Sequence, residues 1–289
     1  MKKFGLIGHP IAHSLSPSLF NAAYDGKYAY DLIEGEDFES SYQRFIEEYD
    51  AINVTAPFKE LAFAKADILS EECQSTGATN LLVKTKEGIK AYNSDFLGVR
   101  MWLSELAGSL KGTPPTAGTC SLQKPTGLFA DRSRPPAAWG VARLSSSQPA
   151  PKGIKILIVG LGGAGKAAAA AAESLGMEVI RMNRTVRDCR THSLDEFKKC
   201  FRESDIMIYN IPEAIPELKE LTDSDFQTDS PKYILEANYK NPSMDEILKQ
   251  FGSKAIYTGG KTWLLYQAVT GYEILTGEKP DLAKMSDVL

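Results

Sequence analysis

At 289 residues, 43% of them hydrophobic, the chain is long enough for two globular domains. A formal net charge of −4 argues against nucleic acid as the main partner, since phosphate binding needs a basic surface, yet it allows a small anionic ligand held by local cations. The four cysteines have no CxxC spacing and the three histidines no ligand pattern, which argues against a disulfide framework and a metal site. The apolar run after Met1 stops at His9-Pro10, too short for a secretory segment, and no stretch approaches a membrane span. A soluble, cytoplasmic protein with no membrane partner is expected.

Residues 4–107 alternate short apolar runs with helical patterns. They predict strands at Phe4–Ile7, Tyr30–Ile33, Ile52–Val54 and Leu81–Val83, and helices over Phe38–Tyr49 and Phe58–Leu69. Lys86-Glu87-Gly88 predicts a hairpin into Ile89–Tyr92, and a helical period resumes over Phe96–Leu106. Seven of the fifteen prolines then fall between Pro114 and Pro151, so residues 108–152 are expected to be a flexible insertion. A second α/β pattern begins at Ile154–Val159, a continuous apolar run of the kind that fills a central parallel strand. The alanine-rich Ala167–Ala172 predicts a helix, and Val179–Met182, Ile206–Tyr209 and Tyr233–Leu235 predict strands. Ser193-Leu194-Asp195-Glu196 and Ser243-Met244-Asp245-Glu246 each spell a capping box. After Gly259-Gly260 a long helical stretch through Leu264, Ala268, Tyr272 and Leu275 is expected to pack on the first domain.

Gly160-Leu161-Gly162-Gly163-Ala164-Gly165 matches GxGxxG directly after a predicted strand and at the start of a helix. In that setting the first glycine permits a tight turn, the second lets a pyrophosphate approach the backbone, and the third lets helix and strand pack closely. Gly160, Gly165 and Lys166 also fit the GxxxxGK loop of nucleotide hydrolases, but that loop needs Ser or Thr next and Ala167 stands there. An NAD-binding unit usually places Asp or Glu on the ribose about 20 residues beyond its glycines. Here the position holds Asn183-Arg184-Thr185-Val186-Arg187. Two arginines and no carboxylate suit a 2′-phosphate, so NADP is the expected cofactor.

Asn53-Val54-Thr55-Ala56-Pro57-Phe58-Lys59 sets a lysine on the first turn after a strand. The positive end of a helix disfavours an ammonium there, which suits a group that passes a proton near neutral pH. Taken alone, Lys59 reads as well as a surface lysine. In Ser14-Leu15-Ser16-Pro17, Ser16 is the predicted N-cap and Pro17 the first helical residue. Two hydroxyls at a helix N-terminus form a cradle for a carboxylate, or simply a cap. Gly77-Ala78-Thr79-Asn80 and Tyr92-Asn93-Ser94-Asp95 set amides and hydroxyls beside strands, as a site for a polyhydroxylated ring or as plain turns.

In order, Gly8–Pro17, Asn53–Lys59, Gly77–Asn80, Asn93–Gly98, Gly160–Gly165, Asn183–Thr185 and Gly260…Trp263-Leu264…Gln267 resemble the shikimate dehydrogenase family. The resemblance spans nearly the whole chain outside the Pro-rich segment. It implies an α/β fold with a substrate-binding catalytic domain at residues 1–98, completed by C-terminal helices at 262–289. Residues 153–261 would form a Rossmann-type, doubly wound NADP-binding domain, with a cleft between the two. The implied reaction is reversible reduction of 3-dehydroshikimate to shikimate with NADP(H), a step of aromatic amino-acid (chorismate) biosynthesis, with Lys59 and Asp95 as the catalytic pair. Ser14 and Ser16 would take the substrate carboxylate, and Thr55, Asn80, Asn93 and Gln267 the ring hydroxyls, with Tyr239 at the cleft.

For the cofactor, the resemblance implies Gly160, Gly162, Gly163, Ala164 and Gly165 at the pyrophosphate and Asn183, Arg184, Thr185 and Arg187 at the phosphorylated ribose. Ala237 and Gly260 would lie along the nicotinamide half. The chain would be a monomer or homodimer acting on a small molecule. The alternatives are a dual-specificity quinate/shikimate enzyme and a non-catalytic ligand-binding regulatory protein on the same fold. Ser14 and the arginines lean against the first, the Lys59/Asp95 pair against the second. Three departures from the family pattern stand out: Trp263 for a usual Met, Ser94 for a common Thr, and Ile211-Pro212-Glu213-Ala214 in place of a small Gly-containing turn after Asn210.

Overall fold

Two six-stranded sheets organise the described residues, one in each of two units. The computed structural model describes residues 2–110, 153–186, 188–226 and 230–289, so residues 111–152 of the expected insertion, and Arg187, lie outside the described residues. Among the described residues the first unit holds 2–98 and 265–289, and the second 99–110 and 153–264.

The first unit contains β1 (Lys3–Gly8), β2 (Ala29–Glu34), β3 (Ala51–Val54), β4 (Ile68–Leu69), β5 (Leu81–Thr85) and β6 (Gly88–Tyr92), in the order β2-β1-β3-β5-β6-β4. β1 runs parallel to β2 and β3, while β5 is antiparallel to both β3 and β6. The apolar run of β1 is buried almost throughout, as a central strand covered on both faces must be. The helices of this segment are α1 (Ser16–Tyr24), α2 (Phe38–Glu48), α3 (Lys59–Ala64), α4 (Glu71–Thr76) and α5 (Ser94–Leu110). α2 begins where the Asp37 carboxylate accepts Ser40 N at 2.8 Å, and it turns Phe38 and Phe45 into a core with Ile7, Ile52, Val54 and Leu82.

The helix expected over residues 58–69 is shorter. It stops at Ala64, and Ile68–Leu69 instead pairs in parallel with Lys90–Ala91. The open N–H groups along β6 need partners, and the segment supplies them: Ile89 N donates to Asp67 Oδ2 at 2.7 Å. α4 gave no periodic signal because Cys73 is its one buried side chain. Gly77 ends it in the left-handed conformation, φ 64°.

The second unit contains β7 (Lys155–Val159), β8 (Glu178–Met182), β9 (Thr191–His192), β10 (Ile206–Tyr209), β11 (Lys232–Glu236) and β12 (Ala255–Thr258). Their order is β12-β11-β10-β7-β8-β9 and every pair is parallel, a Rossmann-type doubly wound sheet. The chain moves outward in one direction from β7 through β9 and in the other from β10 through β12. The carboxyl ends of β7 and β10 therefore flank a topological switch point. Its helices are α6 (Gly163–Ser174), α7 (Phe197–Glu203), α8 (Pro216–Lys219) and α9 (Asp245–Lys249); α10 (Gly260–Thr276) and α11 (Leu282–Val288) close the chain. Leu157, Val159, Phe197, Phe201, Met207, Tyr209 and Ile234 fill the core on one face. Buried Lys232 closes the end of α7, its ammonium donating to Phe201 O at 2.6 Å and also to Ser204 O.

Neither predicted capping box forms. Ser193 makes no capping bond, and the Glu196 carboxylate meets His192 Nδ1 at 3.0 Å instead. Ser243 is drawn to Glu236, a fully buried carboxylate that outcompetes the helix start. Its Oε1 accepts Ser243 N at 2.7 Å and Ser243 Oγ at 3.0 Å, and its Oε2 accepts Met244 N at 3.3 Å and the Tyr257 hydroxyl at 2.7 Å. A buried carboxylate needs such donors more than an exposed helix end needs a cap. A capping box does form at Thr222 and Asp225.

Candidate active site

Lys59 opens α3 after a turn in which Phe58 N donates to Thr55 O at 3.0 Å. Its ammonium is ion-paired with Asp95, in the first turn of α5, and the two side chains keep only 22% and 9% of their exposure. A full opposite charge in contact outweighs the partial charge at the end of a six-residue helix. The start of α5 is fixed by Asn93, whose Oδ1 accepts Phe96 N at 3.2 Å while Nδ2 donates to Thr76 Oγ1 and Ala78 O, both at 3.1 Å. Both amide donors of Asn93 are thus engaged inside the fold. The residue holds the helix that carries Asp95.

Asn80 and Ser94 clamp each other. Ser94 N donates to Asn80 Oδ1 at 2.7 Å, and Asn80 Nδ2 donates to Ser94 Oγ at 3.0 Å. This fixes the amide's orientation and leaves its second N–H for a ligand. Asn53, within the motif but given no role of its own from sequence, reaches Asn80 O at 3.5 Å and accepts the Tyr30 hydroxyl at 2.9 Å. Tyr30 and Tyr272 are pushed well above the ordinary phenol pKa by burial, opposed in each case by the nearby Ser16 hydroxyl. The Tyr272 hydroxyl donates to Ser16 O at 3.1 Å. The polar groups of the first unit thus form a chain of contacts from Ser16 through the tyrosines, Asn53, Asn80 and Ser94 to the turn that carries Asp95.

Ser16 is the first residue of α1 and not its cap. Leu15 takes the cap position, and Ser14 Oγ accepts Ser16 N at 3.2 Å and lies 3.2 Å from Ser16 Oγ. The two hydroxyls are adjacent and half-buried. Gln267 is half-buried on α10 and lies close to α5 because residue 98 is glycine: a Cβ there would fall 2.6 Å from Gln267 N. Thr55 stands beside Gly8, where a Cβ would fall 2.4 Å from its Cγ2.

In the second unit, Gly160 takes φ +87°, and a Cβ on Gly165 would fall 1.9 Å from Gly160 O, so no side chain fits there. Around Gly162 and Gly163 the space is open, and α6 begins at Gly163, with Ala164 half-buried behind it. Bare backbone N–H groups at the start of a twelve-residue helix fit an anionic pyrophosphate. Asn183 ties the loop after β8 to this turn: its Oδ1 accepts Leu161 N at 3.5 Å and its Nδ2 donates to Thr185 O at 3.2 Å. Arg184 and Thr185 are exposed. Gly260 packs on Ala237, where a Cβ would fall 2.5 Å from the carbonyl oxygen. Tyr239, nearby in sequence, is half-buried, and burial raises its pKa. Among the described residues no cluster of His, Cys, Asp or Glu is placed to hold a metal, and no helix is long and apolar enough to cross a membrane.

Residues 6–82 match the shikimate dehydrogenase substrate binding domain, and residues 130–228 match the NAD binding domain of D-isomer specific 2-hydroxyacid dehydrogenases. The chain is 27% identical to a shikimate dehydrogenase (NADP(+)) of Bacillus licheniformis over 99% of this chain and 95% of that protein. It is 28% identical to the Natronomonas pharaonis shikimate dehydrogenase (NADP(+)) over 100% and 98%. Among solved structures, shikimate 5-dehydrogenase from Thermus thermophilus in complex with NADP(H) and shikimate superimposes with TM-score 0.67 at 23% identity, covering 100% and 98% of the two chains. Quinate dehydrogenase from Corynebacterium glutamicum in complex with NAD superimposes with TM-score 0.71 at 18% identity, covering 99% and 98%. These last two likenesses establish the fold. Together with the matched substrate-binding domain and relatives aligned over almost their full length, they make the chain similar to shikimate dehydrogenases along nearly all of its sequence.

Proposed function

We propose that the chain is an NADP-dependent oxidoreductase that reversibly reduces 3-dehydroshikimate to shikimate. The observation that carries this reading is the sheltered Lys59–Asp95 ion pair, set on the first turns of two helices within the unit that matches a substrate-binding domain. The cofactor, when bound, supplies the hydride. As negative charge builds on the substrate's ketone oxygen, Lys59 stabilises it and delivers the proton from Nζ. Asp95 orients the ammonium and accepts a hydrogen bond from the same hydroxyl. General acid catalysis of this kind contributes about 10²–10⁴-fold in rate. Ser14 and Ser16 hold the substrate carboxylate, and the free N–H of Asn80, with Thr55, Gln267 and Tyr239, orients the ring. The backbone at Gly160–Gly165 takes the pyrophosphate, Asn183, Arg184, Thr185 and Arg187 the phosphorylated ribose, and Ala237 and Gly260 the nicotinamide half.

The test is a panel of initial rates followed by NADPH absorbance, with 3-dehydroshikimate, dehydroquinate, NADPH and NADH. Turnover with the first substrate and NADPH is expected, at a kcat/KM above every other combination. Saturable binding of both ligands without turnover would overturn the catalytic reading, and a higher kcat/KM for dehydroquinate would overturn the substrate.

A further inference from the structure

The turn after β10 lies at the reversal of strand order between β7 and β10, where a doubly wound sheet receives its ligand. Its sequence, Asn210-Ile211-Pro212-Glu213-Ala214, contains no glycine, and side chains impose its shape. From below, the Tyr209 hydroxyl donates to Glu213 O at 2.6 Å and accepts Ile215 N at 3.0 Å. From the side, Asn238 Nδ2 donates to Pro212 O at 2.9 Å and to Asn241 O at 2.7 Å, while its Oδ1 accepts Lys240 N and Asn241 N, both at 3.2 Å. All hydrogen-bonding positions of this one amide are filled. Three of its bonds shape the loop after β11, and the fourth crosses to the turn after β10.

Backbone contacts extend this bridge in both directions. A Cβ on Gly160 would fall 3.0 Å from Ile211 Cγ1 and 3.3 Å from Asn210 C, so the glycine turn rests on the turn after β10. A Cβ on Gly260 would fall 2.5 Å from Ala237 O and 2.8 Å from Asn238 C, so the start of α10 rests on the loop after β11. Four segments thus form one continuous rim, and the Asn238–Pro212 bond joins its two halves.

We propose that Asn238 is a positioning residue for the nicotinamide half of the cofactor, acting by locking the turn after β10 to the loop that carries Ala237 and Tyr239. The inference rests on the reading that this unit seats NADP(H). A rim fixed before binding presents its backbone to the ring without an ordering penalty, and hydride transfer is sensitive to small errors of aim.

The test compares wild type, Asn238→Ala and Asn238→Asp by fluorescence titration with NADPH, by titration with 2′-phospho-ADP-ribose, which lacks nicotinamide, and by steady-state kinetics. Aspartate keeps both acceptor bonds and removes both donors, so it severs the bridge with the loop's own N–H contacts intact. It also carries the test if the alanine variant fails to fold. Both variants are expected to raise the NADPH Kd about fivefold and lower kcat about tenfold. Affinity for 2′-phospho-ADP-ribose and the KM for 3-dehydroshikimate should stay within about twofold. Equal weakening of both nucleotides would mean general loosening and overturn the proposal, as would an Asn238→Asp enzyme indistinguishable from wild type. Wild-type protein that binds neither nucleotide would instead remove the cofactor reading on which the inference stands.

Discussion

The two units present their candidate groups in different ways. In the first, the candidate groups are side chains held from elsewhere in the sequence: Lys59 by Asp95 and Asn80 by Ser94, while Tyr272 holds the backbone carbonyl of Ser16. In the second it lies largely in main chain, exposed because Gly162 and Gly163 leave open space beside a helix start. A site of backbone is written in a few adjacent letters. A site of side chains is completed only by tertiary contacts.

Substitutions can break that contrast. The largest effect is expected from Lys59→Ala, which removes the proposed proton donor and should lower kcat about 10²–10⁴-fold with a smaller change in substrate KM. Near-normal turnover in that variant would take Lys59 out of the mechanism. Gly165→Ala strikes the backbone site: its methyl would fall 1.9 Å from Gly160 O, so the turn must open. NADPH affinity should drop about a hundredfold and stability by about 1–3 kcal/mol, read by titration and urea unfolding. An unchanged Kd would show that the turn tolerates a side chain and that its glycine pattern says nothing about a ligand.

Smaller effects sharpen the contrast. Ser94→Ala deletes the acceptor that orients Asn80 and should cost about 1 kcal/mol, roughly fivefold in kcat/KM, while Ser94→Thr restores it. Failure of threonine to rescue would mean that the clamp is not what matters at this position. The last concerns Lys232, whose amine is pushed down from 10.5 to about 8 by burial. Between those values the unfolded chain binds more protons than the folded one, so stability should rise as pH climbs through that window. Lys232→Met should flatten the rise in urea midpoints; parallel curves for the two proteins would clear the buried amine of any role.

Legibility followed the same division. β1 and β7 were readable because unbroken apolar runs have few other uses, and the glycine turn because its strand and helix adjoin it. Lys59 and Asp95 were brought forward by the family's motif order, and no local rule shows that residues 36 apart in sequence meet. Tyr30 and Tyr272 read only as strand and helix residues, because a hydroxyl that meets Asn53 or a serine 256 residues away leaves no trace in either neighbourhood. The capping boxes misled for a related reason: a local pattern at Ser243 lost to the buried carboxylate of Glu236, a competition visible only once the chain has folded. Asn238 looks like any loop asparagine, and only its four partners distinguish it.

Glu236 also constrains what this protein can become. By gripping residues 243 and 244 from position 236, it closes the intervening stretch into a ring of set circumference, with Tyr257 as an outside clasp. Residues inside such a ring can be exchanged, yet none can be added or deleted without unfastening it. Descendants of this chain should therefore differ there in spelling and keep the same letter count.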